Sequence, residues 1–404
     1  MTSLPPQRPT GRRRKARHGT AAREPDTDGA ISRRSTTGGL ARGAWLAGGA
    51  VVIAGVIGGA AWALSGDGDT AAHRPPAANP APTGRDDADP PSSAPSPREP
   101  KPVSVPFAPY VDTSLAASFD VTGAARTIGV KDYTLAFVGP SGRCTPAWGG
   151  STPLGRDRVA AKLGDLRSAD GDVRVSFGGQ SGHELARSCP SVPKLVSAYS
   201  QVIDHYKLKR VDFDIENGAL ADDAGNDRRN RAIAALQKSH PGLDVSFTLP
   251  VLPRGLTPDG VSLLRNAKSH GVDIGAVNVM AMNYGASPAP DPDGRMGDYA
   301  IDAVENTHKA LKGVLGTSDA ETWRHIAVTP MIGVNDVKEE VFTVADAAKV
   351  ARFARSKDMA WVSMWSASRD KACPGGSGGR AAATCSGVDQ SANDFAKAFG
   401  SATR

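Results

Sequence analysis

Cysteine, aromatic residues and long apolar runs are all scarce in this 404-residue chain, and each scarcity removes a class of protein. Four cysteines are present, none before Cys144, with neither a CxxC pair nor the close Cys/His spacing of a zinc centre, so a metal-built fold is not expected. No Gly-rich turn follows the first strand-like run, where Tyr110-Val111-Asp112-Thr113 stands, which argues against an open dinucleotide-binding sheet. Large apolar residues are almost missing from residues 1–42, an Arg- and Gly-rich stretch with the block Arg12-Arg13-Arg14-Lys15, so this part cannot bury a core and is expected to be disordered.

One long apolar run does occur. Residues 43–64 carry no charge and are about the length that spans a bilayer, with basic residues before and Asp67 and Asp69 after. A single transmembrane signal anchor, N-terminus in the cytoplasm, is the expectation. A removable export signal is the alternative, since Ser32-Arg33-Arg34 resembles a twin-arginine signal and Ala61-Trp62-Ala63 offers a cleavage site. Residues 65–102 are rich in Pro, Ala, Asp and Ser and read as an extended linker. The remainder of the chain would then lie outside the cell, held at the membrane or secreted. The formal charge of +6 is largely the tail's, so basic side chains facing anionic lipid account for it, and nucleic acid is not an expected partner.

The four cysteines fall in the exported part, where disulfides form. Their loop positions favour Cys144 with Cys189 and Cys373 with Cys385, the second pair closing a short loop. Over residues 103–404, strand-like runs alternate with helical periodicity. The runs are 105–111, 133–138, 173–177, 210–215, 244–249, 276–284, 325–332 and 360–366; the helical spacing shows in Leu195, Val196, Tyr199, Val202, Ile203 and Tyr206 and in Ala347, Val350, Ala351 and Ala354. Eight βα units of this length predict a single α/β domain, a (β/α)8 TIM barrel.

The most informative run is Val211-Asp212-Phe213-Asp214-Ile215-Glu216. Alternate strand residues share a face, so three carboxylates would stand in a column spaced by roughly 7 Å while Phe213 and Ile215 pack the other way. Like charges at that spacing in low dielectric cannot all ionise; Glu216, nearest the opening, is the expected acid. Strand three closes on Ser176-Phe177-Gly178-Gly179, where paired glycines allow close backbone approach to another strand or a ligand. Strand six places Asn278, Met280, Met282 and Tyr284 on one face, and strand eight ends in Met364-Trp365.

These four segments, Ser176 to Gly179, Asp212 to Glu216, Met282-Asn283-Tyr284 and Trp365, resemble in order and spacing the signature regions of glycoside hydrolase family 18, the chitinase family, of the bacterial type. The resemblance implies retaining hydrolysis of β-1,4 bonds between N-acetylglucosamine units, with the substrate's own acetamido oxygen as nucleophile and without metal or organic cofactor. It gives Glu216 the role of general acid and base, Asp214 that of orienting the acetamido group, Asp212 that of its deeper partner, and Tyr284 that of an acetamido hydrogen-bond donor. Trp365 would floor the sugar site, with Met282, Asn283, Gly178, Gly179 and Tyr110 as further substrate-binding residues. Lys209 stands where the family usually has another Asp, a departure expected to affect support more than chemistry. A carbohydrate-binding barrel with little catalysis, or the same chemistry on peptidoglycan or N-glycans, are the alternatives. The partner implied is an N-acetylglucosamine-containing oligo- or polysaccharide; the paucity of aromatics points to short or soluble ones, and the chain is expected to act as a monomer.

Overall fold

The computed structural model describes residues 104–115, 119–376 and 378–402; the expected tail (1–42), membrane segment (43–64) and linker (65–102) lie outside them. Among the described residues no helix is long and apolar enough to cross a membrane.

Eight parallel strands form the framework: β1 Tyr110–Asp112, β2 Asp132–Ser141, β3 Asp172–Gly178, β4 Arg210–Asp214, β5 Asp244–Leu252, β6 Ala276–Ala281, β7 Ile326–Pro330 and β8 Trp361–Val362. Each pairs with the next in chain order. The sheet curls until its ends meet: Phe107 forms a parallel bridge with Val362, and the Tyr110 N–H donates to the Met364 carbonyl at 3.1 Å. This is the α/β barrel that the alternating pattern predicts.

A helix follows every strand: α1 Val121–Ile128, α2 Leu163–Ser168, α3 Val192–Tyr206, α4 Asp223–Ser239, α5 Pro258–Ser269, α6 Met296–Leu315, α7 Val344–Lys357 and α8 Asp394–Ala402. In α3 the periodic residues Leu195, Tyr199, Val202, Ile203 and Tyr206 are buried and Val196 is partly buried, and in α7 Ala347, Val350, Ala351 and Ala354 are all buried. A capping box, Thr343 with Asp346, starts α7 by satisfying N–H groups that the first turn leaves free. Both expected disulfides are present, with Cα separations of 4.7 Å for Cys144–Cys189 and 5.0 Å for Cys373–Cys385.

Five expected strands are longer than those observed: 105–111, 210–215, 276–284, 325–332 and 360–366 shorten to Tyr110–Asp112, Arg210–Asp214, Ala276–Ala281, Ile326–Pro330 and Trp361–Val362. β6 stops at Ala281 rather than 284, because the Met282 N–H turns back to the Met280 carbonyl at 3.0 Å and Asn283 adopts φ 53°. β8 is short as a ladder, yet Ser363 and Trp365 still donate to the carbonyls of Val328 and Pro330, so the chain stays extended to the pocket.

The alternation of β4 decides where the chemistry faces. Val211, Phe213 and Ile215 are fully buried towards the helices, where the Phe213 ring stacks on Phe177 at 5.4 Å and meets Tyr199 edge-on at 5.2 Å. Asp212 and Asp214 therefore point into the barrel. Arg174 fills the opposite end of the interior. Its guanidinium lies 4.5 Å over the Trp361 ring and donates to Asp244 at 2.6 Å, to the Val211 carbonyl at 3.0 Å and to Ser246 Oγ at 3.2 Å. The small residues Ala276 and Ala327 pack with Trp361 and leave space for it.

Truncating this plug removes a cation–π contact and three hydrogen bonds to neighbouring strands at once. Arg174→Ala is expected to lower the free energy of unfolding by about 2–4 kcal/mol, measured by denaturant titration of the full chain.

Candidate active site

The barrel's C-terminal end holds an open cavity lined by strand ends and the loops after them, with Asp214, Glu216, Trp365, Met282 and Tyr110 among its walls. Its foundation is Asp212, 1 % exposed and held by hydroxyl groups on three other strands. Oδ2 accepts from Ser176 at 2.7 Å and from Tyr110 at 3.0 Å; Oδ1 accepts from Ser246 at 2.6 Å and from Thr248 at 2.9 Å. Register explains the set, since Ser176, Asp212 and Ser246 are direct neighbours across β3, β4 and β5. Burial raises the Asp212 carboxyl while the hydroxyls of Ser246, Ser176 and Thr248 and the charge of Arg174 oppose the rise.

One layer up, Asp214 pairs in register with Gly178 and Thr248. The two glycines have a structural reason. Gly178 has φ 105°, and a Cβ there would fall 2.1 Å from the Asp214 carbonyl oxygen; Gly179 has φ 93°, and a Cβ there would meet the Phe137 ring at 2.8 Å. In return, the Gly179 N–H donates to the Asp214 carbonyl at 3.0 Å. Asp214 is 3 % exposed, and its carboxyl is raised well above the usual range by burial, then by the charges of Glu216, Asp212 and Glu184. Contact with Glu216 raises Asp214 further and lowers Glu216, the pattern of a shared proton held on Asp214. Glu216 is pushed up to about 7, first by burial and also by Asp336 across the pocket, while the bond from Asp214 pulls the other way. The upward push expected on Glu216 from its in-line neighbours thus falls on Asp214 instead.

The apolar wall is aromatic. Trp365 stacks on Phe137 at 5.6 Å and leans on Tyr110 at 5.8 Å. Both Trp365 and Phe137 adjoin cis peptide bonds, Trp365–Ser366 and Ala136–Phe137. The opposite wall comes from the loops after β6 and β7. Asn283 Nδ2 donates to Asp336 at 3.0 Å and its Oδ1 accepts from the Asp336 N–H at 2.9 Å, while Glu340 accepts from the N–H groups of Tyr284 and Gly285. Beneath this clamp the buried Arg369 donates to the carbonyls of Ile332, Val334 and Ala382.

Of the sequence-predicted residues, Asp214, Glu216, Tyr110, Met282, Asn283 and Trp365 converge on the cavity, and Asp212 lies directly below. Gly178 and Gly179 lie behind the acids and shape backbone rather than the cavity wall. Tyr284 is not among the lining residues. Among the described residues its hydroxyl has no hydrogen-bond partner, and its ring meets Tyr299 edge-on at 6.3 Å, because the turn at Asn283 breaks the alternation that would have faced it inwards. The lining residues that sequence reasoning missed are Phe137, Gln180, Thr248, Thr329, Met331 and Asp336. Thr248 and Thr329 follow from strand parity once the barrel is assumed. Phe137 does not, because it occupies a β-bulge between the Ala136 and Val138 pairings. Asp336 and Gln180 sit on loops with no periodic signal.

No family model matches the chain. It is 40 % identical over 281 residues to the "Probable bifunctional chitinase/lysozyme" of Escherichia coli, covering 67 % of this chain and 31 % of that protein. It is 38 % identical over 275 residues to "Endochitinase 11" of Metarhizium anisopliae, covering 65 % and 52 %. The chain thus spans about a third and about half of these curated relatives. Among solved structures, the catalytic domain of a hyperthermophilic chitinase from Pyrococcus furiosus superposes with a TM-score of 0.66 at 33 % identity, over 74 % of this chain and 96 % of that one.

The raised carboxyl of Glu216 has a consequence for folding. A free glutamate titrates near 4.3, so between roughly pH 4.5 and 7 the folded chain binds more protons than the unfolded chain, and stability falls as pH rises through that window. Glu216→Gln cannot lose this proton. Its Tm relative to wild type is expected to rise by roughly 3–6 °C between pH 5 and pH 8 in calorimetric scans.

Proposed function

This chain belongs to the chitinase family, glycoside hydrolase family 18, and on that premise we propose that it hydrolyses β-1,4 bonds between N-acetylglucosamine units by substrate-assisted catalysis with Glu216 as general acid and base. The observation that carries this reading is the buried column Asp212, Asp214 and Glu216 opening into one cavity, with Glu216 pushed up to about 7. An acid poised near neutral pH can give a proton and then recover it.

In the first step Glu216 protonates the glycosidic oxygen, the C1–oxygen bond breaks, and the acetamido oxygen of the same sugar bonds to C1. In the second step Glu216, now ionised, takes a proton from water as the water oxygen bonds to C1 and the acetamido oxygen leaves, so the configuration at C1 is retained. Asp214 adjoins Glu216 and orients the acetamido group, and Asp212 holds Asp214 from beneath. The Trp365 face receives the apolar side of the sugar ring. Tyr284, with its hydroxyl packed away from the cavity, has no part in this assignment.

The apolar, uncharged composition of residues 43–64 supports a membrane tether that would put the barrel on the outer face of the cell. The E. coli relative's description as chitinase/lysozyme supports a second reading, the same chemistry on peptidoglycan. Full-length protein should release N-acetylglucosamine oligomers from chito-oligosaccharides faster than it solubilises cell wall. Glu216→Gln should lose on the order of 10³-fold or more in kcat while still binding the oligosaccharide. Undiminished turnover in that variant would reject the mechanism, and preferential cell-wall digestion would favour the second reading.

A further inference from the structure

Behind β4, on the side away from the cavity, lies an ion pair that the proposed chemistry does not use. Glu184 and Arg229 are both buried, with side chains 5 % and 0 % exposed. Glu184 precedes the short helix Leu185–Ser188 in the loop after β3, and Arg229 projects from α4. Arg229 grips one oxygen of Glu184, Oε2, through both Nε and Nη2, and its Nη1 donates to Asn226 Oδ1 at 2.6 Å. The geometry fixes that carboxylate in one orientation.

Its other oxygen is free to act elsewhere. Among the described residues Glu184 Oε1 is buried without a hydrogen-bond partner, and so is Asp214 Oδ1. The two groups stand close to the same piece of backbone. The position a Cβ would take on Gly178 lies 2.1 Å from the Asp214 carbonyl oxygen and 3.7 Å from Glu184 Cγ, so the glycine that admits β4 also admits Glu184. A buried acceptor left unpaired is costly in a folded protein, and two of them on neighbouring carboxyl groups call for a role.

We infer that Glu184 is a positioning residue for the reaction: pinned by Arg229 behind β4, its carboxylate keeps Asp214 protonated and thereby keeps the Asp214 hydrogen bond directed at Glu216. The inference rests on the reading of the site given above and adds to it a group outside the signature segments. Electrostatics agree with the geometry, since Glu184 is one of the charges that raise the Asp214 carboxyl, after burial, Glu216 and Asp212. The charged and titratable groups around Asp214 are Asp212 below and Glu216 above on its own strand segment, Tyr110 from β1 and Glu184 from the loop after β3. Arg174 acts on Asp212 from beneath, and Asp336 acts on Glu216 from the loop after β7. Arg229 faces Glu184, Asn226 and the Tyr199 hydroxyl and does not figure among the influences on Asp214. Losing the Glu184 charge would let Asp214 ionise at a lower pH, and a charged Asp214 can no longer donate to Glu216.

The test is Glu184→Gln in the full chain, which keeps the shape and one acceptor for Arg229. The pH at which kcat/KM on a chito-oligosaccharide falls on the alkaline side should move down by about one unit, with KM changed less than about twofold. Glu184→Asp, which restores the charge, should recover the wild-type limb. Thermal stability between pH 5.5 and 8 supplies a readout that needs no turnover: its decline with rising pH should be shallower in Glu184→Gln than in wild type. That slope separates this inference from the substrate assignment, because it holds whatever the sugar. If Glu184→Gln fails to fold, the doubly neutral Glu184→Gln with Arg229→Gln should show the same direction of shift. A folded variant whose alkaline limb and stability slope both match wild type would overturn the inference, as would Glu184→Asp shifting the limb as far as the glutamine does.

Discussion

The structure depends on a carboxylate that is buried and fully engaged. Asp212 takes hydroxyl hydrogen bonds from Tyr110, Ser176, Ser246 and Thr248, and thereby links β1, β3 and β5 to β4 at the middle of the barrel. An isolated charge in that place would cost several kcal/mol, and an unpaired neutral acid still a good part of that. With its lone pairs occupied, the same group becomes a fixed platform. Everything above it is set by that height: the Gly178–Asp214–Thr248 layer, the Asp214–Glu216 contact, and the aromatic wall that faces them.

Strand parity connects fold to chemistry. The same alternation that sends Phe213 into the ring cluster with Phe177 and Tyr199 sends Asp212 and Asp214 inwards. Apolar burial on one side therefore holds polar groups in place on the other, and the site gains rigidity from side chains that never touch the cavity. Separate dedicated supports are needed only where regular strand ends, at Asn283 with Asp336 and at Glu340.

Much of this was legible in the residues because it lay on strands. Eight alternating units gave the barrel, the acid column gave the layer order, and loop positions gave both cysteine pairs. Parity failed where the backbone departs from the extended form. At Asn283 a left-handed residue turned Tyr284 out of the cavity, and at Phe137 a bulge turned a ring into it. Gly178 and Gly179 were read as sites of close approach, to strand or ligand; the partners are the Asp214 carbonyl and the Phe137 ring. Asp336, Gln180 and Glu184 gave no signal, since a lone polar residue on a loop has no period to betray its direction. Residues 1–103, with their tail, membrane segment and linker, are not described by the structure.

Arg369 carries a consequence of a different kind. Its guanidinium is lowered by burial only to about 10, so it stays cationic wherever the pocket acids change state, and its bonds go to main-chain oxygens that never titrate. The wall bearing Asp336 is thus anchored by a permanent charge on fixed dipoles. Protonation can vary in Asp214 and Glu216 while this anchor keeps its main-chain bonds, so the footing of that wall does not follow the state of the pocket acids.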